Sequence, residues 1–323
     1  MIKINNIGFI NFGGKIIDSH AHVGWHKNKN LQKEDLDIFV KSNLPNNDNV
    51  EKIIVSNMDI LHFRADEYSG NKAILEKFSG DSQYSVLATC SPAGGRVERI
   101  IKLFKDFPNK FIGMKFHPTI QTLSLKNDRY EPYVEFAEKE GIPCVFHSAV
   151  NVDSYSGNII ANNWDNSDPR MIYELAKKHP KTPIVMAHLG AGWNTSHDLA
   201  LNVLLDSIKN GDANLYADIS WVDIDSNDKS HIVNAIKALK GIDNPEWKYG
   251  DQSFRLMFGS DAPLGRFGEA DARIHYNNFI EGIKNAIRKD NALKKDSEKI
   301  IQELFYDNAE KLFFKKAKNI IKI

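Results

Sequence analysis

The chain has 323 residues and a formal net charge of zero, with 42 Lys and Arg residues against 42 Asp and Glu residues. Hydrophobic residues make up 42% and charged residues 26%, which is typical of a water-soluble globular protein with ample material for a core. The balanced charge excludes a general attraction to nucleic acid or acidic membranes, and the sequence shows neither a membrane-spanning apolar run nor the apolar segment of a signal peptide.

Eight short apolar runs predict β-strands, because each is about strand length, rich in Ile, Val and Phe, and bounded by turn-forming residues. In chain order they are 15–22, 51–57, 83–90, 110–118, 142–148, 182–190, 214–220 and 255–263. Between them, apolar residues recur three and four positions apart, which is the spacing of amphipathic helices. These helices are predicted at 31–40, 71–78, 97–107, 130–140, 170–179, 196–209, 229–240 and 270–288.

Strands that alternate with helices indicate an α/β fold with a parallel sheet. An open doubly wound sheet could also hold eight strands. The (β/α)8 TIM barrel is favoured, because polar residues recur at the carboxyl ends of the strands, where barrel active sites lie. We expect one domain over 1–323, with a short N-terminal extension at 1–14 and a C-terminal helix within 294–323 packed outside the barrel. The two cysteines, Cys90 and Cys144, have no metal-binding spacing and favour a reduced, cytoplasmic setting.

Metal-ligating residue types end several of the predicted strands. His20 and His22 end the first strand, and alternation along a strand points both side chains to the same face. The other strand ends carry Lys115, His117, His147, His188 and Asp261. Each residue taken alone is more often structural, whereas the joint pattern at the ends of the first, fifth, sixth and eighth strands predicts a site for Zn²⁺ or a similar divalent ion.

The sequence resembles the amidohydrolase superfamily of metal-dependent barrels, and specifically its amidohydrolase 2 branch. The resemblance rests on DSHAH (18–22), GMKFHP (113–118), VFHS (145–148), MAHLG (186–190), GSDAP (259–263) and NAEKLF (308–313). It implies metal ligation by His20, His22, His147 and Asp261, with Asp261 also carrying the catalytic proton. It further implies that His188 either contacts the substrate in catalysis or binds a second ion.

The resemblance leaves the number of metal ions open. Relatives with two metals often use a carboxylated lysine at the position of Lys115 as a bridging ligand, whereas an unmodified lysine would pair with a carboxylate or a substrate anion. One divalent ion per chain, Zn²⁺ ahead of Mn²⁺ or another ion, is favoured over two, because this branch usually works with one. Barrels of this type often pair, so a homodimer is an open alternative to a monomer.

The predicted chemistry is hydrolysis of an amide, lactone or ester bond in a small molecule, in which the metal activates a water molecule and Asp261 takes its proton. The principal alternative is a non-oxidative decarboxylase of a small carboxylic acid, and the lesser one is a metal-binding module without catalysis. The intact ligand set argues against the module. His117, Trp25, Trp193 and Arg266 are the candidates for substrate binding, since they follow strands that carry the site. An arginine there would suit a substrate carboxylate.

Overall fold

The computed structural model describes residues 14–26, 29–40, 49–148, 164–190, 196–223, 228–264, 267 and 271–315. Within these residues the chain forms a nine-stranded sheet in the order β2-β1-β3-β4-β5-β6-β7-β8-β9. The strands are β1 (Lys15–His26), β2 (Lys29–Leu31), β3 (Asn49–Asn57), β4 (Tyr84–Thr89), β5 (Phe111–Phe116), β6 (Cys144–His147), β7 (Ile184–Ala187), β8 (Leu215–Asp218) and β9 (Leu256–Met257). Each of the eight predicted runs overlaps one of these strands; six runs contain their strand, whereas β1 and β3 extend beyond theirs. The short strand β2 was not predicted.

Eight of the strands are parallel and close into a ring, so the chain is a (β/α)8 barrel, as predicted. Neighbouring strands from β1 and β3 through to β9 pair in parallel, whereas β2 is an antiparallel addition to β1. The ring closes between the segment after β9 and β1. There the Ser19 N–H donates to the Phe258 carbonyl at 3.0 Å, and the His22 N–H donates to the Ala262 carbonyl at 2.8 Å.

Helices follow the strands and cover the outside of the ring. They are α1 (Lys33–Val40), α2 (Met58–Leu61), α3 (Glu67–Phe78), α4 (Val97–Asp106), α5 (Glu131–Glu140), α6 (Trp164–Ser167), α7 (Pro169–Lys178), α8 (Ser196–Asn210), α9 (Ser230–Lys240), α10 (Ala272–Lys289) and α11 (Ser297–Gln302). The main core lies between this helical layer and the outward-facing side chains of the strands. The two four-residue helices, α2 and α6, were not predicted from the sequence.

A second, smaller apolar cluster fills the interior of the ring. It is formed by alternate residues of six strands, Ile17, Ile54, Leu87, Val145, Val185, Ala187 and Met257, together with Ala309, Leu312 and Phe313 of the C-terminal helix. That helix continues from α11 through wide turns to Lys315. It lies outside the strand ring, as predicted, and its apolar face covers the amino ends of the strands. The apolar residues therefore take the lower part of the barrel and leave the carboxyl ends for polar groups.

A buried carboxylate holds the loop after β4 in place. Glu67 accepts hydrogen bonds from the Ser91 N–H at 2.7 Å, the Arg96 N–H at 2.8 Å and the Tyr133 hydroxyl at 2.8 Å. Burial raises the pKa of Glu67 above its ordinary value, and these hydrogen bonds offset part of that rise.

None of the helices in the described part of the chain is both long and apolar enough to span a lipid bilayer. The predicted N-terminal extension at 1–14 lies outside the described residues, apart from Gly14.

Candidate metal centre

Alternation along the strands places polar side chains above the apolar interior layer. On β6, Val145 belongs to the interior cluster and His147, two residues later, ends the strand. On β8, Tyr216 packs against that cluster and Asp218 follows it by the same spacing. Side chains two residues apart on a strand share a face, so the sequence that fills the barrel also delivers these groups to its carboxyl end.

Strand β1 reaches the same face through an irregularity. Its pairing with β3 shifts register between Asp18 and Ala21, so the inward face moves from the odd-numbered Ile17 to the even-numbered His20 and His22. Such a bulge re-aims side chains and is common next to active sites. Both imidazoles therefore point into the upper barrel and are 2% exposed.

The centre of the site is a triangle of three atoms. His20 Nε2 lies 3.1 Å from His22 Nε2. Asp261 Oδ1 lies 3.3 Å from His20 Nε2 and 2.9 Å from His22 Nε2. The Lys115 Nζ atom lies 2.7 Å from His20 Nε2, and this lysine is fully buried.

Asp261 is fixed from two sides. Its backbone N–H donates to the His20 carbonyl at 2.8 Å, which belongs to the contact that closes the barrel. The indole N–H of Trp221 donates to Asp261 Oδ2, which leaves Oδ1 facing the two histidines. The adjacent turn is held by Asp18, which accepts hydrogen bonds from the Ser260 N–H at 2.9 Å and the Tyr276 hydroxyl at 3.0 Å. Burial raises the pKa of Asp18 to about 7, against the effect of these hydrogen bonds.

The outer nitrogens of the paired histidines also have partners. His20 Nδ1 lies 3.0 Å from Asp218 Oδ2, and His22 Nδ1 lies 2.8 Å from Ser56 Oγ. A carboxylate or hydroxyl on the outer nitrogen fixes the orientation of an imidazole and raises its basicity as a metal ligand. His20 and His22 are thus held as ligands are held in metal sites.

His147 and His188 form a second pair next to this triangle. His147 Nδ1 lies 3.0 Å from His188 Nε2, and His188 Nδ1 lies 2.8 Å from Ser220 Oγ. His117 stacks on His147 with ring centroids 3.7 Å apart. Among the described residues, two groups bring possible ligand atoms within 4.8 Å of one another: His20 with His22 and Asp261, and His20 with His188 and Asp218. His147 belongs to neither.

Burial controls the electrostatics of the site. It lowers the pKa of His20, and it lowers the pKa values of His22, His147, His188 and His117 well below the ordinary value, with Lys115 adding to the effect in each case. The five imidazoles are therefore neutral near pH 7, which is the form that binds metals.

The charged groups of the site respond to burial in different ways. Burial also lowers the pKa of Lys115, to about 8, against the attraction of Asp218 and Asp261. It raises the pKa of Asp261, an effect that His20 and Lys115 oppose. Burial alone would raise the pKa of Asp218 as well. The attraction of His20 and the hydrogen bonds from His20 and Ser220 outweigh burial and lower this pKa to about 2.

The residues fit a divalent metal ion. His20 Nε2, His22 Nε2 and Asp261 Oδ1 are three ligand-type atoms that face one another at hydrogen-bond distance, and neutral imidazoles with a carboxylate form a donor set typical of Zn²⁺. Within the part of the chain that the structure describes, the buried His147 Nε2 has no hydrogen-bond partner, as a nitrogen meant for a ligand would be. Asp218, by contrast, is already occupied, since its oxygens accept from His20, His188 and Ser220.

The predicted substrate residues fall into two sets. His117 is buried against His147, and Trp25 lies beyond the site on β1, with the Arg64 guanidinium 4.4 Å from its ring centroid. Trp193 and Arg266 lie outside the described residues.

Sequence reasoning missed four residues that support the site: Ser56, Asp218, Ser220 and Trp221. Asp218 carried a usable signal, because it lies two residues before the end of the predicted strand 214–220, as His188 and Asp261 do in theirs. Ser56 likewise lies at the end of β3. Ser220 and Trp221 follow β8 in a turn, and no sequence pattern marks their roles.

Comparison with known proteins identifies similar families and folds. The profile of the amidohydrolase family matches residues 97–315. No curated protein matches the sequence significantly.

Three solved structures illustrate the similarity in fold. A putative 2-pyrone-4,6-dicarboxylic acid hydrolase from Pseudomonas putida is 16% identical with a TM-score of 0.60, over 92% of this chain and 97% of its own. A zinc-bound amidohydrolase from Burkholderia multivorans is 12% identical with a TM-score of 0.59, over 92% and 98%. A 5-carboxyvanillate decarboxylase from Novosphingobium aromaticivorans, complexed with manganese, is 11% identical with a TM-score of 0.57, over 95% and 97%.

Proposed function

Since this chain belongs to the amidohydrolase family, we propose that it is a metal-dependent hydrolase that cleaves an amide, lactone or ester bond of a small molecule. The observation that carries the proposal is the convergence of His20 Nε2, His22 Nε2 and Asp261 Oδ1 within 3.3 Å of one another at the carboxyl end of the barrel. These atoms and His147 Nε2 are the proposed ligands. These four residues would hold a divalent ion, which would supply Lewis-acid chemistry: a lower pKa for a water molecule and polarisation of a substrate carbonyl group.

Asp261 is the proposed proton carrier. Its Oδ1 accepts the proton of the attacking water and later returns it to the leaving group. Burial raises the pKa of Asp261, which makes the carboxylate a stronger base than an exposed aspartate. The hydrogen bond from Trp221 to Oδ2 holds the carboxylate in one orientation throughout.

His117 is the proposed hydrogen-bond donor to the oxygen that gains negative charge. The Ile120 N–H donates to His117 Nδ1 at 3.2 Å, so the neutral ring carries its own proton on Nε2. A donor fixed in a buried site stabilises developing charge more than the same group in water. The stacking contact with His147 keeps this ring next to the proposed ligands.

We further propose that the centre holds one ion, Zn²⁺ ahead of Mn²⁺, in a chain that works in the cytoplasm. Asp218 and His188, the residues a second ion would recruit, already use their side-chain atoms in hydrogen bonds. Lys115 then acts as an unmodified cation that can pair with an anionic part of the substrate. The two buried free cysteines, Cys90 and Cys144, are consistent with a reducing compartment.

Decarboxylation of a small carboxylic acid is the second candidate on the same residues. The observation that favours it is the buried Lys115 ammonium group among five neutral imidazoles, an environment that attracts a carboxylate. In that reaction the proton on Asp261 would be delivered to carbon rather than to a leaving group.

A substrate screen separates the two reactions. Metal-loaded protein is incubated with lactones, amides, esters and small aromatic or unsaturated carboxylic acids, while acid production and CO₂ release are followed. Hydrolysis without CO₂ release supports the proposed function, and CO₂ release supports the second candidate. If the chain retains no divalent ion after dialysis against a metal-replete buffer, both are wrong.

A further inference from the structure

Four side chains form a continuous hydrogen-bonded chain that ends at a proposed metal ligand. Ser220 Oγ contacts Asp218 Oδ1 and lies 2.8 Å from His188 Nδ1. His188 Nε2 in turn lies 3.0 Å from His147 Nδ1. All four residues are at least nine-tenths buried, so no bulk water competes for these contacts. We propose that Asp218 and Ser220 are positioning residues that act through His188 to keep the proton of His147 on Nδ1, which leaves Nε2 bare for the metal ion.

The first step follows from proton counting at the carboxylate. Asp218 acts as an acceptor: its Oδ1 accepts the backbone N–H groups of His188 at 2.9 Å and Ser220 at 3.1 Å, and its Oδ2 faces His20 Nδ1, as expected of a carboxylate without a proton. A hydroxyl in contact with a bare carboxylate oxygen must donate to it. The single hydroxyl hydrogen of Ser220 is therefore committed to Asp218, and Ser220 Oγ can act only as an acceptor toward His188 Nδ1.

The second step passes this constraint along two imidazoles. His188 is 3% exposed, and burial disfavours a charged ring, so it has one ring proton, which must lie on Nδ1 because Ser220 Oγ accepts there. His188 Nε2 is then an acceptor, so the proton in its contact with His147 belongs to His147 Nδ1. His147 is neutral as well, and its Nε2 carries a lone pair. Among the described residues this buried nitrogen has no hydrogen-bond partner, and the burial of the ring disfavours a charge on it.

The carboxylate of Asp218 also determines the tautomer of His20, another proposed ligand. Asp218 Oδ2 lies 3.0 Å from His20 Nδ1, and since the carboxylate brings no proton, Nδ1 must donate it. His20 Nε2 is therefore bare too. One aspartate on β8 thus determines the tautomers of histidines on β1 and β6, directly for His20 and through Ser220 and His188 for His147.

The backbone contributes to this arrangement. His188 and Leu189 have φ values of 65° and 42°, a left-handed conformation that is costly for residues with a side chain. The His188 N–H donates to Asp218 Oδ1 at 2.9 Å, so the carboxylate also holds the turn that aims the His188 ring. This inference rests on the proposed function only in that it takes His147 as a metal ligand.

The test reads the tautomer of His147 directly. The full chain is labelled with ¹⁵N at its histidines and stripped of metal, and long-range ¹H–¹⁵N spectra assign the protonated nitrogen of each ring. Zn²⁺ affinity is measured in parallel by competition with a chromophoric chelator. The variants are Ser220→Ala, Ser220→Thr and, as a matched control, Ser207→Ala, which removes a buried hydroxyl that donates to the Leu204 carbonyl.

We expect the unaltered protein to carry the His147 proton on Nδ1. Ser220→Ala should shift part of the population to Nε2 and weaken Zn²⁺ binding by about 10- to 100-fold, the usual effect of losing an outer-shell partner. Ser220→Thr keeps a hydroxyl, so its His147 tautomer and its Zn²⁺ affinity should match those of the unaltered protein. Ser207→Ala should change neither measurement.

A proton on Nε2 in the unaltered protein overturns the inference, even if every variant fails to fold. An unchanged His147 tautomer in folded Ser220→Ala also overturns it. These results are independent of turnover, because the spectra are recorded without metal or substrate. A chain with the expected tautomers that hydrolyses nothing rejects the proposed function alone.

Discussion

The substitution Asp261→Asn tests the proposed proton carrier with almost no change in shape. Trp221 donates to Oδ2, so the single oxygen of an asparagine must take that position. The amide nitrogen then replaces Oδ1, 2.9 Å from His22 Nε2 and 3.3 Å from His20 Nε2. The reverse orientation sets two donors against each other in a buried site, at a cost of about 1–3 kcal/mol. In the favoured orientation the side chain offers no lone pair to a cation and cannot accept a proton.

The substitution should lower both kcat and metal affinity, because the asparagine offers neither a proton acceptor nor a lone pair to the cation. Removing a positioned general base lowers kcat by about 10²- to 10⁴-fold, which corresponds to about 2.7–5.4 kcal/mol of transition-state stabilisation. Metal affinity should fall by more than the roughly 10- to 100-fold that outer-shell substitutions cause, because a ligand itself is lost. Steady-state kinetics on the best substrate of the screen, with the metal content of each sample measured, provides both values.

Trp221→Phe is the matched control. It keeps the carboxylate and removes only the hydrogen bond to Oδ2, so the orientation of Asp261 loosens while its chemistry remains. We expect kcat to fall by about tenfold or less, consistent with the loss of one hydrogen bond. If Asp261→Asn with a full complement of metal keeps kcat within tenfold of the unaltered enzyme, Asp261 is not the proton carrier.

Three further predictions concern the number of bound metal ions, the packing of the C-terminal helix at the amino ends of the strands, and the pH dependence of stability. Elemental analysis after metal-replete dialysis should find one divalent ion per chain, and two would mean that Asp218 and His188 exchange their hydrogen bonds for metal. Phe313→Ala should lower the free energy of unfolding by about 3–5 kcal/mol in denaturant titrations, and Phe314→Ala on the half-buried side by clearly less; equal losses would contradict the interior packing of Phe313. Because the pKa of Glu67 is raised in the fold, its contribution to stability is present below about pH 4.5 and is lost as the pH rises through the folded value. The stability of the unaltered protein relative to Glu67→Gln should therefore fall across that window, and a rise would refute the assignment.

The barrel was predictable because its strands and helices differ in apolar period. Parallel strands buried on both faces have continuous apolar runs, such as the one that contains Cys144–His147. In the helices between them, apolar residues recur with a period of about 3.6 residues. The predicted runs were often longer than the strands, most of all at β9. There the segment 258–263 leaves the regular ladder after Met257 and turns to close the ring against β1. A turn of this kind depends on contacts with residues more than 200 positions away.

The site was predictable where ligand types fall at strand ends. His20, His22 and Asp261 were placed together from the sequence, and the structure brings their atoms within 3.3 Å. The bulge in β1 that turns both histidines inward has no sequence mark, since His20 and His22 would share a face in either register. The hydrogen bonds of Ser220 and Trp221 were not predictable, because turn residues have no period from which a direction can be inferred.

Among the described residues, four of the eight non-glycine residues with left-handed φ follow strands that carry the site, and the other four are Phe63, Asn109, Thr122 and Asp223. Left-handed conformations occur at His188 and Leu189 after β7, at Trp221 after β8 and at Asp261 after β9, with φ values between 42° and 69°. Each costs about 1–3 kcal/mol and persists only where the surroundings fix it. The surroundings do so through site residues, since Asp218 accepts the His188 N–H and His20 accepts the Asp261 N–H. One of these hydrogen bonds therefore holds the turn from which the proposed ligand Asp261 projects, and the other holds the turn that aims His188 at the proposed ligand His147.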